Sequence, residues 1–245
     1  MAGMDAFTTP FQQSPDFWQR QGIAGWRGIC TTISASPHSL RAWPKNMILK
    51  HLKEATGSRH AALESRLPLL ETSMSRARYL QFLQRFYGYY APLEAQLLAL
   101  PHWHALDFDY VGRHKTPRLV QDLRALDETA EAIGAVALCQ QLPALASPGQ
   151  LLGCLYVIDG ATLGGQIISR HLAANLGLTP SSGVAFFGGY GAQTGSRWKA
   201  FCAMLTANAA GPGRQDDILA SASQTFETLG HWLFPSNPMP EGATP

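Results

Sequence analysis

His60 and Glu64 stand four residues apart in the segment LKHLKEATGSRHAALESRL. Leu49, Leu52, Thr56, His60, Leu63 and Leu67 recur at spacings of three and four, which places them on one face of a helix. The imidazole therefore points where a core should be. Two readings fit: a hydrogen-bonded core histidine, or a metal ligand. For the second, Glu64 lies one turn on and can accept a ring N–H, fixing the tautomer and strengthening the ring as a donor to a metal. Neutral histidine backed by a carboxylate is a common means of holding iron.

The second chemical feature is an absence of side chains. SPGQLLGCLYVIDGATLGGQIISRHLAANLG reads as one long helix, with Ser147 as N-cap, Pro148 in the first turn and Gly177 as its stop. Gly160, Gly164 and Gly165 lie in its middle, where each costs roughly 1 kcal/mol against alanine. Gly160 and Gly164 form a G-x-x-x-G, which lets another helix approach closely. Alternatively, the stripe without Cβ atoms offers bare backbone to a flat ligand, with a weakened helix able to flex over it. Spacing alone leaves both open.

The elements that must carry these residues are helical. Beyond the two segments above, helical patterns run through SRARYLQFLQRFYGYYAPLEAQLLAL, with a bend expected at Pro92, and through TPRLVQDLRAL, SRWKAFCAMLTANA and RQDDILASASQTFETLGHWL. A glycine-rich loop, FFGGYGAQTG, follows the long helix. Neither alternating strands nor repeats of 20 to 50 residues are found. The fold class is all-α. Residues 1–46, rich in Ser, Thr, Gly and Pro, read as a loosely ordered N-terminal extension, 47–234 as one helical domain, and 235–245 as a C-terminal tail.

Composition narrows the function. Of 245 residues, 46% are apolar and 15% charged, which favours a large interior over a solvated or disordered chain. A net charge of +2 argues against a protein that coats nucleic acid. Four scattered cysteines, Cys30, Cys139, Cys154 and Cys202, make no C-x-x-C pair, as expected for a reducing cytoplasm. No apolar run approaches the ~18 residues of a membrane helix, and the first residues lack a secretory pattern.

LKEATGSRHAALE, followed about a hundred residues later by LYVIDGATLGGQIISRHL, resembles haem oxygenase. RFYGYYAPLEAQL and FFGGYGAQTGSRWKAF are similar to the same group, and the likeness is strongest to the biliverdin-forming bacterial type that accompanies bacteriophytochromes. It covers roughly His51 to Leu233.

The resemblance implies a single-domain helical bundle with haem between a proximal helix and a kinked, glycine-rich distal helix. His60 would be the proximal iron ligand, with Glu64 its partner and Thr56 lining the same side. Lys53 and Lys199 would meet the haem propionates, and Phe226 would flank the ring. Gly160, Gly164 and Gly165 would bring the distal backbone against the porphyrin and the bound dioxygen. The implied reaction cleaves haem b, at once cofactor and substrate, with O2 and reducing equivalents to biliverdin, CO and Fe2+. A ferredoxin or flavin reductase would be the external electron donor, and a bacteriophytochrome the recipient of the bilin.

Two positions depart from the family pattern. Ala161 stands where mammalian-type members carry an aspartate that organises distal water, and Ala203 where a second basic propionate contact is expected. Thr162, Gln166 and Asp159 are then the candidates for a distal water network, Thr162 foremost. Ala161 also keeps a non-catalytic haem-binding or haem-handling protein as the alternative. A di-metal oxidase on a related scaffold is disfavoured because the chain has no Glu-x-x-His.

Overall fold

The computed structural model describes residues 47–101, 103–106 and 108–235. The expected N-terminal extension, and all but the first residue of the expected tail, lie outside the described residues. Nine α-helices are found among the described residues: α1 (Met47–Arg66), α2 (Arg76–Ala99), α3 (Trp103–Leu106), α4 (Thr116–Ala125), α5 (Ala130–Gly134), α6 (Pro148–Leu176), α7 (Ala185–Gly188), α8 (Thr194–Asn208) and α9 (Arg214–Leu233). Short 3-10 turns fall at Pro68–Leu70, Val111–Arg113 and Gly191–Gln193, and the described residues hold no strand.

The core is built on α6. Ser147 accepts a hydrogen bond from the Gln150 amide while the Gln150 side chain returns to the Ser147 N–H, a capping box that satisfies two otherwise orphaned donors. Gly177 ends the helix in the left-handed conformation at φ 67°. Between them, residues 151 to 160 are all buried, as expected of a helix apolar on every side. By length and composition α6 could cross a membrane, but 67% of its apolar window lies inside the fold, which marks a core helix.

α9 is the main neighbour of α6 and also the main support of α1. Close approach of α6 and α9 needs glycine at 153, where a Cβ would press on the Ile218 carbonyl and 2.8 Å from the Ala222 nitrogen. α1 and α6 therefore share α9 and α8 as supports, yet they do not pack substantially on one another. That arrangement holds two helices apart over a common floor.

A bend in α2 is expected at Pro92, and the helix continues through that position. The helix runs from Arg76 to Ala99 with the proline inside it. Pro92 has no N–H to offer the Gly88 carbonyl, and the Cys139 N–H donates to that carbonyl instead at 2.8 Å. A tertiary hydrogen bond replaces the missing helical one.

Candidate functional site

The last two turns of α1 carry the first half of the site. His60 Nδ1 lies 3.2 Å from Glu64 Oε2, and both side chains are about one-third exposed. The Phe226 ring of α9 meets the imidazole edge to face, with centroids 5.6 Å apart and planes at 89°. Burial lowers the His60 pKa, which favours the neutral imidazole a metal requires. Burial also raises the Glu64 carboxyl to about 7. One turn earlier, Thr56 is buried and its hydroxyl donates to the Leu52 carbonyl at 2.7 Å. Thr56 thus lies on the His60 side of the helix with its hydrogen already committed. Arg59 fastens this end of α1 to α9 through a 2.7 Å bond from Nε to Glu227 Oε1.

The middle of α6 carries the second half. The unbroken run of buried residues ends at Gly160, and Ala161 is exposed. The three glycines have separate circumstances. A Cβ at Gly164 would meet nothing within 4 Å, so its missing side chain serves open space. A Cβ at Gly165 would lie 2.6 Å from the Phe187 carbonyl oxygen, so that glycine is required by the close passage of α7. Gly160 is buried within the continuous helix. The reading of all three as a surface for a flat ligand therefore narrows to Gly164 and the exposed Ala161 about one turn before it, and helix contact accounts for Gly165.

A model of the Heme oxygenase family matches residues 46–234. The chain belongs to the heme oxygenase family. Membership makes it a haem-degrading enzyme. Among solved structures, it is similar to heme oxygenase from Leptospira interrogans, at 20% identity and a TM-score of 0.59, over 76% of this chain and 98% of that one. It is similar too to the NO- and CO-bound heme oxygenase from Neisseria meningitidis, at 19% identity and a TM-score of 0.62, over 81% and 98% of the two chains. No curated protein matches the sequence. At these identities the structural likeness establishes the fold; the family match establishes the membership.

The residues fit the substrate of a haem oxygenase family member. His60 is held through Nδ1, so Nε2 is the nitrogen that would take an iron. α1 and α6 stand apart over α9, and Gly164 faces open space. Lys53 on α1 and Lys199 on α8 are both exposed, as groups that meet carboxylates at the rim of a site must be. Phe226 lies against the imidazole. Ala161 and Ala203 leave these positions without a charged group.

The polar candidates of α6 face elsewhere. Thr162 is buried, its hydroxyl donates to the Asp159 carbonyl at 2.6 Å, and its Cβ lies near Gly189. The Gln166 amide donates toward the Gly191 carbonyl and the Thr194 hydroxyl at 2.9 Å each, and the Gly188 carbonyl at 3.3 Å. Asp159 is buried and accepts from Arg113 Nη1 at 2.6 Å and from the Tyr190 hydroxyl at 2.8 Å, with Lys115 Nζ 3.6 Å away. None of these hydrogen bonds reaches the open face at Gly164.

Sequence reasoning missed the Arg113–Asp159–Tyr190–Lys115 cluster. Its members are up to 77 positions apart, so no local spacing announces them. The available signal was chemical: an aspartate in an otherwise apolar half-helix must find a buried cation.

Proposed function

We propose that this protein cleaves haem with O2 and external reducing equivalents to biliverdin, CO and Fe2+. The single observation that carries the proposal is the His60–Glu64–Phe226 arrangement on α1 and α9; the open space beside Gly164 of α6 is read as the other side of the haem site. Haem, when bound, supplies the iron that carries dioxygen and the ring carbon that is oxidised.

His60 would hold the iron through Nε2, while Glu64 accepts the Nδ1 proton and fixes the ring's rotation. Burial of the imidazole favours its neutral form and disfavours protonation in competition with the metal. Phe226 would limit movement of the imidazole and flank the porphyrin. Lys53 and Lys199 would each pair with a propionate, setting the in-plane orientation and hence which ring carbon faces the oxygen. Gly164 would admit the porphyrin close to the α6 backbone, and the exposed Ala161 would leave room for ordered water. Gly160 and Gly165 shape the helix that carries this face. With Thr162, Asp159 and Gln166 turned away, water held by backbone groups, instead of a side-chain acid, would deliver protons.

The physiological setting follows as part of the same proposal. Electrons would come from a ferredoxin or a flavin reductase, the bilin would pass to a bacteriophytochrome, and the chain would act in the cytoplasm as a helical domain of residues 47–234 between an extension and a tail.

The test is turnover. Hemin-loaded protein is followed by absorption under air with a reductase system, CO is trapped, and the pigment is identified by chromatography. Biliverdin with equimolar CO supports the proposal. A stable haem complex with no ring opening overturns it in favour of a haem carrier.

A further inference from the structure

The glycine segment of α6 should be its weakest part. Gly160, Gly164 and Gly165 fall within six residues, and each lowers helix propensity by roughly 1 kcal/mol. Yet this segment is fastened at both ends to one loop. At its start, Asp159 accepts from the Tyr190 hydroxyl at 2.8 Å. At its end, Gln166 donates toward the Gly188 and Gly191 carbonyls and the Thr194 hydroxyl. Between the two, the Gly165 Cα side rests on the Phe187 carbonyl, and Thr162 lies beside Gly189. The Thr194 hydroxyl in turn receives the Tyr190 N–H at 3.2 Å and donates to the Gly191 carbonyl at 2.9 Å, which closes the loop on itself.

Tyr190 is itself immobilised. Arg118 and Arg197 lie over its ring at 4.9 and 4.7 Å from the centroid, and its hydroxyl is also 3.3 Å from the Arg113 carbonyl. Arg197 donates to the Gly112 carbonyl at 2.7 Å, tying α8 to the turn that carries Arg113. The buried charge of Asp159 is matched by Arg113, so the attachment point is fixed electrostatically as well.

We propose that residues 188–194 form a brace that sets the position of the glycine face of α6, with Tyr190 and Gln166 as positioning residues for haem oxidation. The inference rests on the haem-cleaving reading above and adds its distal geometry. The helix segment that leaves Gly164 facing open space is fastened to this loop through Asp159 and Gln166. Neither residue contacts the open face; both act through the backbone they fasten.

The test uses Tyr190→Phe and Gln166→Met, which keep ring, stack and side-chain length while removing the hydrogen bonds. Amide exchange of residues 160–166 is measured in the haem-free protein. Each variant should exchange about fivefold faster there, as expected for a lost hydrogen bond of about 1 kcal/mol, with α1 and α9 unaffected. In the hemin-loaded protein, the hemin Kd should stay within about threefold, while kcat falls roughly tenfold and the ratio of biliverdin isomers changes, because misplacement and not lost affinity is the cause. Unchanged exchange in 160–166 would overturn the brace. Faster exchange with wild-type kcat and isomer ratio would overturn its positioning role. Wild-type protein that binds no hemin would overturn the underlying reading, and with it the positioning role, whereas the exchange result would still decide the brace.

Discussion

His60 Nδ1 faces Glu64 Oε2 at 3.2 Å within a single helical turn, and the Phe226 ring meets the imidazole edge to face. This pairing orients the ring before any metal arrives. His60→Ala should abolish the Soret band of bound hemin in an absorption titration. Glu64→Gln keeps the size of the side chain but loses the carboxylate, and the hemin Kd should rise about 10- to 100-fold, the usual range for a lost ligand-orienting partner.

The two adjacent glycines should answer to alanine in opposite ways. Gly164→Ala meets open space and restores helix propensity, so the haem-free protein should gain about 1 kcal/mol in chemical denaturation. Hemin binding should weaken in the same variant. Gly165→Ala forces a methyl against the Phe187 carbonyl and should lose about 1–3 kcal/mol, the range for overpacking.

Asp122 gives a pH dependence of stability. It accepts hydrogen bonds from the Ala185 and Phe186 N–H groups at 2.7 and 2.8 Å, tying α4 to the start of α7. Burial outweighs those bonds and raises its pKa from 3.8 to about 6. The folded state then binds more protons than the unfolded state between those values, so this group's contribution to stability falls as pH rises from about 4 to 6. The stability of wild type minus that of Asp122→Asn, a signed difference measured by denaturant titration across that interval, should fall with rising pH. A difference that grows would contradict the assignment.

Lys53 and Lys199 are exposed, and their pairing with carboxylates should be worth little in affinity. Either alanine variant should raise the hemin Kd about two- to fivefold, equivalent to ~0.5–1 kcal/mol. The larger effect should be on the distribution of biliverdin isomers, read by chromatography, because loss of one tether lets the ring rotate.

The sequence was most legible where local chemistry decides structure. Ser147, Pro148 and Gly177 bound α6 because capping and left-handed termination are local events. Arg214–Leu233 is helical where its apolar spacing predicts. α3, α5 and α7 have four or five residues each, too few to show a period. The donor that replaces the missing Pro92 N–H comes from Cys139, 47 positions further along the chain, which local spacing does not show. His60 and Glu64 meet as their helical spacing implies, and Phe226, which the resemblance names as a residue flanking haem, lies against the imidazole. Gly164 and Gly165 are alike in sequence, and only the Phe187 carbonyl tells them apart. Thr162 carries a hydroxyl suited to ordering water, but a hydroxyl on a helix can also bond its own backbone, and here it does.

The central claim is that one haem lies between His60 and the Gly164 face of α6. A crystal structure of the hemin complex tests it most directly. The account predicts iron bonded to His60 Nε2, Glu64 on Nδ1, and the opposite porphyrin face against the backbone at Gly164. Haem bound through another residue, or seated elsewhere, such as in the notch formed by Gln150, Asp217 and Gln224, would contradict it.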